Sequence, residues 1–249
     1  MIPLNVSVLS AFLVFCRIGG CVMLMPGISG HRLPVRVRLF VGVAISLAVL
    51  PLLFADTADF IQNASHAKLA LAIPSELVTG AIIGLLSRVF FLALQTMLVA
   101  TAQFIGVSSI VGPPEDDEAL PPVAVLLALT ATTMMFITDQ HYELLRGLIA
   151  SYRQIPLGVG FGGRGALMQM ADQMSAALML ALRLASPFMV YSLIINFAVG
   201  LINKLTPQIP VFFIATPFIT AGGLLLLYAI SDQLLTAFVM AFGAFLKAG

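Results

Sequence analysis

Residues 200–218 read GLINKLTPQIPVFFIATPF. Pro207, Pro210 and Pro217, together with Asn203, Lys204 and Gln208, interrupt sequence that is otherwise strongly apolar. Proline removes a backbone donor and clashes with the carbonyl four residues back, so it is the poorest of helix formers. A chain that places such residues between two long apolar segments, about 166–203 and 208–247, marks a deliberate break there. Whether the chain is an ordinary multi-span membrane protein depends on how this break is read.

The composition sets the solvent. Of 249 residues, 60% are hydrophobic and 9% charged, with a mean hydropathy of +1.08. A soluble domain carries about 25% charged residues. This much apolar surface needs lipid or other apolar protein around it. The net charge of +1 provides no basic stripe, which argues against nucleic acid as a partner. Cys16 and Cys21 lie on one predicted helix and read as small buried apolar residues, not as a disulfide. The N-terminus MIPLNVSVLSAFLVF lacks a basic leader region, and Arg17 follows it, so it reads as a retained first membrane helix. Trp is absent, leaving Phe and Tyr to form any interfacial belt.

Apolar segments run over about 8–29, 37–54, 74–111, 121–145, 166–203 and 208–247. The connectors between them are HRLPVRVR (31–38), DTADFIQNASHAK (56–68), GPPEDDEALPP (112–122) and PLGVGFGGRG (156–165), too short to hold a soluble domain. Segment 74–111 contains no turn signal. As one helix it is about 55 Å long at 1.5 Å per residue, against a hydrocarbon core of about 30 Å. Either it turns at Ser87-Arg88 without turn residues, or helices run past the membrane and are covered by protein; the second reading is favoured. Segment 166–203 poses the same problem, with Pro187 its one breaker. The basic loop with Arg32, Arg36 and Arg38 is expected to be cytoplasmic. The loop with Asp56 and Asp59 is then periplasmic, and so is the N-terminus.

Enzyme signatures are missing. His31, His66 and His141 are scattered, and the cysteines lack partners at zinc spacing. GVGFGG (158–163) follows no strand and reads as a loop. DQHYE (139–143) places Asp139, His141 and Glu143 two apart, which on a helix points them in different directions; a solvated helix end is expected. Intramembrane Arg17 and Arg183 are candidate buried charges, read first as structural ion pairs or subunit contacts and second as lining a polar path. Glu76, in the turn after Pro74, is explained by helix capping. Gly80–Gly84 forms a GxxxG that permits close helix approach. Glu115, Asp116, Asp117 and Glu118, held between proline pairs, read as a solvated loop or as a stiff polar segment entering an aqueous space.

Gly200, Leu201, Asn203, Lys204, Pro207, Gln208, Phe212 and Pro217 together resemble the conserved block of the FliR family, the inner-membrane subunit of the flagellar type III export gate, which has relatives in virulence secretion. RIGGCVMLMPGISGHRLPVRVRLFVGVAISLAVLPLL is similar too, with Arg17, Pro26, Pro34, basic residues and an apolar helix ending at Pro51. The resemblance implies an all-α integral membrane protein of long helical hairpins, with a FliP-like part (1–160) followed by a FliQ-like hairpin (161–249). It implies assembly with FliP-like and FliQ-like subunits, FlhB-like and FlhA-like export components nearby, and unfolded flagellar proteins as cargo. The site is then the bacterial inner membrane at the flagellar basal body, without catalysis or cofactor. Neighbouring subunits would cover the over-long helices. Asn203, Lys204, Pro207, Gln208 and Pro210 become the hairpin tip at an aqueous entrance. The family's plug maps to Thr101–Pro122, where Phe104 is the single Phe. Ile105, Val107, Ile110 and Val111 would supply an apolar seal, with Glu115, Asp116, Asp117 and Glu118 beside it. A secondary transporter with broken helices is the reading from another class, but no second copy of NKLTPQIP marks a repeat.

Overall fold

Without water to serve exposed backbone groups, an apolar chain satisfies them internally, and helices do so within one segment. The computed structural model describes residues 4–29, 33–107, 121–159, 163–208 and 210–248. Its elements are α1 (Leu4–Leu24), α2 (Val35–Asn63), α3 (His66–Phe104), α4 (Pro122–Ile137), α5 (Gln140–Gln154), α6 (Gly163–Leu205) and α7 (Val211–Ala248). Among the described residues five helices are long and apolar enough to cross a membrane, or six if α4 and α5 count together as one span. The chain is an all-α membrane protein.

The long segments are single helices. α3 has 39 residues, α6 43 and α7 38, so each is about 57–64 Å long, roughly twice the hydrocarbon thickness. No turn forms at Ser87-Arg88; Ser87 Oγ donates to the Ile83 carbonyl at 3.2 Å, inside the helix. Prolines 51, 74, 187 and 217 all lie within helices. The expected boundaries at Pro51 and Pro74 are therefore corrected. α2 runs on to Asn63, and α3 begins at His66, before Pro74. Side chains can serve a carbonyl that proline frees: Pro187 leaves the Arg183 carbonyl without its usual donor, and Ser186 Oγ donates to it at 2.7 Å.

The connector expected over 56–68 shrinks to Ala64-Ser65. Polar residues there continue the helix instead of ending it. Asn63 Nδ2 donates to the Asp59 carbonyl at 3.0 Å and to Asp59 Oδ1 at 2.9 Å, while Ser65 Oγ accepts the Lys68 N–H at 3.4 Å at the start of α3. The segment expected over 121–145 is divided at Thr138-Asp139, where Asp139 has a φ of 58°, a conformation that Asp tolerates better than most residues. DQHYE thus lies at a helix start, and Glu143 pairs with Arg146 at 3.3 Å on an exposed face.

The helices form two compact units, residues 1–91, 139–175 and 245–249 in one, and 92–138 and 176–244 in the other. In the first, α1 is the innermost helix, with Leu13, Val14, Arg17, Ile18, Cys21 and Val22 all fully buried. Its contact with α3 is made through glycine. A Cβ on Gly84 would lie 2.5 Å from the Cys21 carbonyl oxygen, and one on Gly80 would lie 2.7 Å from the Arg17 carbonyl carbon. Gly80 and Gly84 are one helical turn apart, and so are Arg17 and Cys21, so the GxxxG lies directly on the α1 backbone. Both cysteines are free and buried. In the second unit, α6 buries Ala177, Ala181, Ala185 and Phe188, and α7 buries Gly223, Leu227, Leu234 and Phe238. Tyr191 on α6 donates its hydroxyl to the Ile219 carbonyl on α7 at 2.6 Å, which fixes the pair as an antiparallel hairpin.

Candidate functional site

α6 ends at Leu205 and α7 begins at Val211, because proline at 207 and 210 cannot extend the incoming helix. Thr206 closes the last turn, its N–H donating to the Ile202 carbonyl at 2.9 Å. Asn203, Lys204, Pro207, Gln208 and Pro210 are all exposed. The five predicted tip residues are therefore brought together at the turn. The helices behind the tip are also uncovered: Leu193 is 73% exposed, Phe197 71%, Phe213 78% and Phe218 75%. Inward of the Tyr191–Ile219 bond the hairpin buries one face, at Ala185, Phe188, Leu227 and Leu234, and beyond that bond it offers apolar side chains along its outer turns. Such a surface needs lipid or another apolar protein against it.

The predicted seal divides differently. Ile105 is fully buried and Val107 nearly so. Ile105 seats on α7 where Gly223 leaves room: a Cβ at 223 would fall 2.8 Å from Ile105 Cγ2 and 3.0 Å from its Cα. Gly106 then takes a φ of 76°, beside Thr220, a conformation natural to glycine. In this chain the two residues anchor the exit of α3 onto α7. Ile110, Val111, Glu115, Asp116, Asp117 and Glu118 lie outside the described residues.

Of the two candidate buried charges, Arg17 is fully buried and Arg183 is exposed on α6. Arg183 therefore has no burial within this chain, and of its expected roles a contact with another subunit is the one an exposed position on α6 leaves open. Arg17 has a partner that the sequence reading assigned to helix capping. Its Nε donates to Glu76 Oε2 at 2.6 Å and its NH2 to Oε1 at 2.9 Å, with both side chains fully buried. NH1 donates to Ser151 Oγ at 3.2 Å and NH2 also to the Ile155 carbonyl at 3.0 Å. The Tyr152 ring lies 4.0 Å from the guanidinium carbon. Glu76 Oε1 accepts the Gly158 N–H at 3.3 Å. One bidentate pair thus joins α1, α3, α5 and the start of the α5–α6 connector. A buried pair removed from water is tolerable only with such geometry and such further donors and acceptors. Glu76 and Arg17 are 59 residues apart, and no local signal links them.

Beside this network a cavity of about 400 Å³ lies between the end of α2, Lys68, Tyr152 and Leu157. Asp56 and Asp59 line it from the last turns of α2, not from the loop expected there.

The sequence matches the model of the family described as bacterial export proteins, family 1, over residues 8–245. It is 29% identical over 219 residues to the flagellar biosynthetic protein FliR of Caulobacter vibrioides, covering 87% of this chain and 86% of that one. It is 27% identical over 230 residues to the Yop proteins translocation protein T of Yersinia pestis, covering 90% and 86%. To the flagellar biosynthetic protein FliR of Escherichia coli it is 24% identical over 216 residues, covering 86% and 81%.

Proposed function

Because the chain belongs to the bacterial export proteins of family 1, the FliR family of type III export-gate subunits, we propose that it helps to form the pore through which unfolded proteins leave the cytoplasm. The observation that carries this reading is the α6–α7 hairpin. It is twice as long as a membrane is thick, uncovered along its outer turns, and ended by an exposed polar tip of Asn203, Lys204, Pro207, Gln208 and Pro210. Helices of this kind suit a subunit surrounded by other helical subunits better than one surrounded by lipid. The partners are FliP-like and FliQ-like membrane subunits, with FlhB-like and FlhA-like components beside them, in the inner membrane at the flagellar basal body. The tip faces the entrance. Residues 1–160 correspond to a FliP-like part and 161–249 to a FliQ-like hairpin, a division of ancestry that the two compact units cross. The chain itself catalyses nothing, and energy is supplied by other components.

The segment after the Ile105 anchor is the plug in this reading. Deleting 107–116 makes the inner membrane leaky to small solutes, and unchanged permeability in an assembled gate would remove the plug assignment. A virulence role is the second reading, favoured by the similarity to the Yersinia protein across most of both chains. Co-expression with the neighbouring membrane proteins, purification in mild detergent and native mass measurement test the main proposal. A stable hetero-oligomer with FliP-like and FliQ-like subunits is expected. A monomer or simple homodimer, with those partners expressed, refutes it.

A further inference from the structure

We infer that the cavity at the end of α2 holds the headgroup of a membrane phospholipid carrying a primary amine, with the acyl chains lying along the exposed side of α2. Unlike α3, α6 and α7, α2 has an apolar run that matches a bilayer. Residues 39–55 carry no charge, while Arg36 and Arg38 precede them and Asp56 and Asp59 follow. A helical run of that length spans about 26 Å, against a hydrocarbon core of about 30 Å. Phe40, Ala44, Ala48, Leu52 and Asp56 recur every four residues and are all exposed. One ridge of the helix therefore leads from open apolar surface to a carboxylate, and the cavity opens where lipid chains end and headgroups begin.

The lining fits a zwitterion. Asp56, Asp59 and Phe60 line the cavity from α2, Lys68 from the first turn of α3, and Tyr152 and Leu157 from the other side. Both carboxylates and the lysine are exposed, and among the described residues neither carboxylate is paired with Lys68. Charges of both signs thus surround one space of about 400 Å³ without neutralising each other, and a pocket of that size suits a small polar group. A primary ammonium donates three hydrogen bonds, which the two carboxylates can accept, and a phosphate diester answers Lys68. Two carboxylates against one lysine leave an excess of negative charge, which disfavours a headgroup whose only charge is its phosphate. The walls are fixed in advance. The Tyr152 ring lies against the Arg17 guanidinium. Gly158 makes room for Phe60, since a Cβ there would fall 2.8 Å from the ring, and the Gly158 N–H is held by Glu76. Asn63 Nδ2 steadies Asp59 Oδ1 at 2.9 Å. The buried Arg17–Glu76 pair thereby shapes the site from behind.

Native mass measurement tests this on the full assembly, washed free of lipid in mild detergent and then offered phosphatidylethanolamine, phosphatidylcholine or phosphatidylglycerol. Relative to a variant carrying Asp56→Asn and Asp59→Asn, the wild type should hold one further phosphatidylethanolamine per copy of this chain. It should bind that lipid about tenfold more tightly than the other two, because choline has no N–H to donate and glycerol no cation. Both substitutions are at exposed positions, so the variant should melt with the wild type. Asp56→Lys with Asp59→Lys should turn the preference towards phosphatidylglycerol, a gain that a misfolded chain could not produce. A phosphatidylethanolamine with a photoreactive acyl chain should label the ridge at Ala48 and Leu52. Equal retention of the ethanolamine and glycerol lipids, or unchanged retention in the double Asn variant, would overturn the inference. So would glycerophosphoethanolamine competing as tightly as intact lipid, since the ligand is then a soluble amine and the side of α2 takes no part. Exclusion of lipid from the assembly, with a cross-link from position 59 to a neighbouring subunit, would also overturn it and make the cavity a protein contact. None of these results touches the pore reading, because the cavity is lined from α2, α3, α5 and the connector after α5, not from the α6–α7 hairpin.

Discussion

The α1–α3 contact allows the effect of one methyl group to be worked out. In Gly80→Ala the new Cβ would lie 2.7 Å from the Arg17 carbonyl carbon and 2.9 Å from its Cα, and closer still to its carbonyl oxygen. Carbon atoms rest at about 3.5–4.0 Å, so α1 and α3 must separate by roughly 1 Å at this point. The obstacle is backbone, which cannot turn aside as a side chain can. Glu76 is one turn before Gly80 on α3, and its 2.6 Å bond to Arg17 Nε would be drawn past about 3.2 Å, the usual limit for a hydrogen bond. Overpacking costs about 1–3 kcal/mol, and weakening the buried pair adds part of the 3–5 kcal/mol or so that breaking one costs. Replacing Gly by Ala within a helix returns only about 1 kcal/mol. A net loss of about 2 kcal/mol or more follows, or roughly 4–8 °C in melting temperature for a chain of this size. Cys16 and Cys21 are the chain's two cysteines and both are buried, so a thiol-reactive fluorophore reports unfolding in detergent directly. Gly200→Ala, with open space around it, is the control and should melt at or above the wild-type temperature. A Gly80→Ala protein that melts with that control would refute the close helix contact and the reasoning built on it.

Glu76→Gln leaves Arg17 buried without a counter-charge and is expected to cost about 3–5 kcal/mol; pairing Glu76→Leu with Arg17→Met should recover most of it in the same melting assay. Ile105→Ala should cost about 2–5 kcal/mol by emptying its seat on α7, and Gly223→Ala about 1–3 kcal/mol by filling that seat. Combining Gly223→Ala with Ile105→Gly, which also removes the Ile105 Cβ nearest the new methyl, should be less destabilised than the sum of the two single changes; simple additivity would mean the two do not touch. Tyr191→Phe removes the 2.6 Å bond to the Ile219 carbonyl and should cost only about 0.5–1.5 kcal/mol, measured as a small melting shift without loss of assembly.

Much of this protein is legible along the chain because its controlling signals are local. Apolar composition fixes the solvent, and the absence of turn residues through 74–111 correctly implies a helix longer than the membrane. Pro207 and Pro210 end a helix wherever the chain folds, so the hairpin tip could be placed without coordinates. Gly80 and Gly84 announce a close approach through their spacing alone. Where the structure departs from local rules, the causes are local too. Pro51 and Pro74 suggested boundaries by the rules of soluble helices, yet in an apolar chain a helix continues through them because ending it would strand more backbone groups than proline frees. Asp56 and Asp59 suggest a loop, although acidic residues at a helix end cost little when, as here, they stay exposed.

Other features depend on which helices meet, and no local pattern encodes that. Glu76 looked like a capping residue because its first-turn position was inferred from Pro74, but the carboxylate is spent on Arg17, 59 residues away. Arg17 and Arg183 look alike in sequence, each set among apolar neighbours; packing of α1 inside the first unit buries one, and the open face of α6 exposes the other. Ile105 reads as a free apolar seal until Gly223, more than a hundred residues later, is seen to provide its seat. By itself the sequence determined the solvent, the helices and the polar turn, since these follow from free energies of residues and their near neighbours. Only the tertiary structure decided which charge is paired, which apolar residue is anchored and which helix face stays open, because those depend on contacts between segments far apart in the chain.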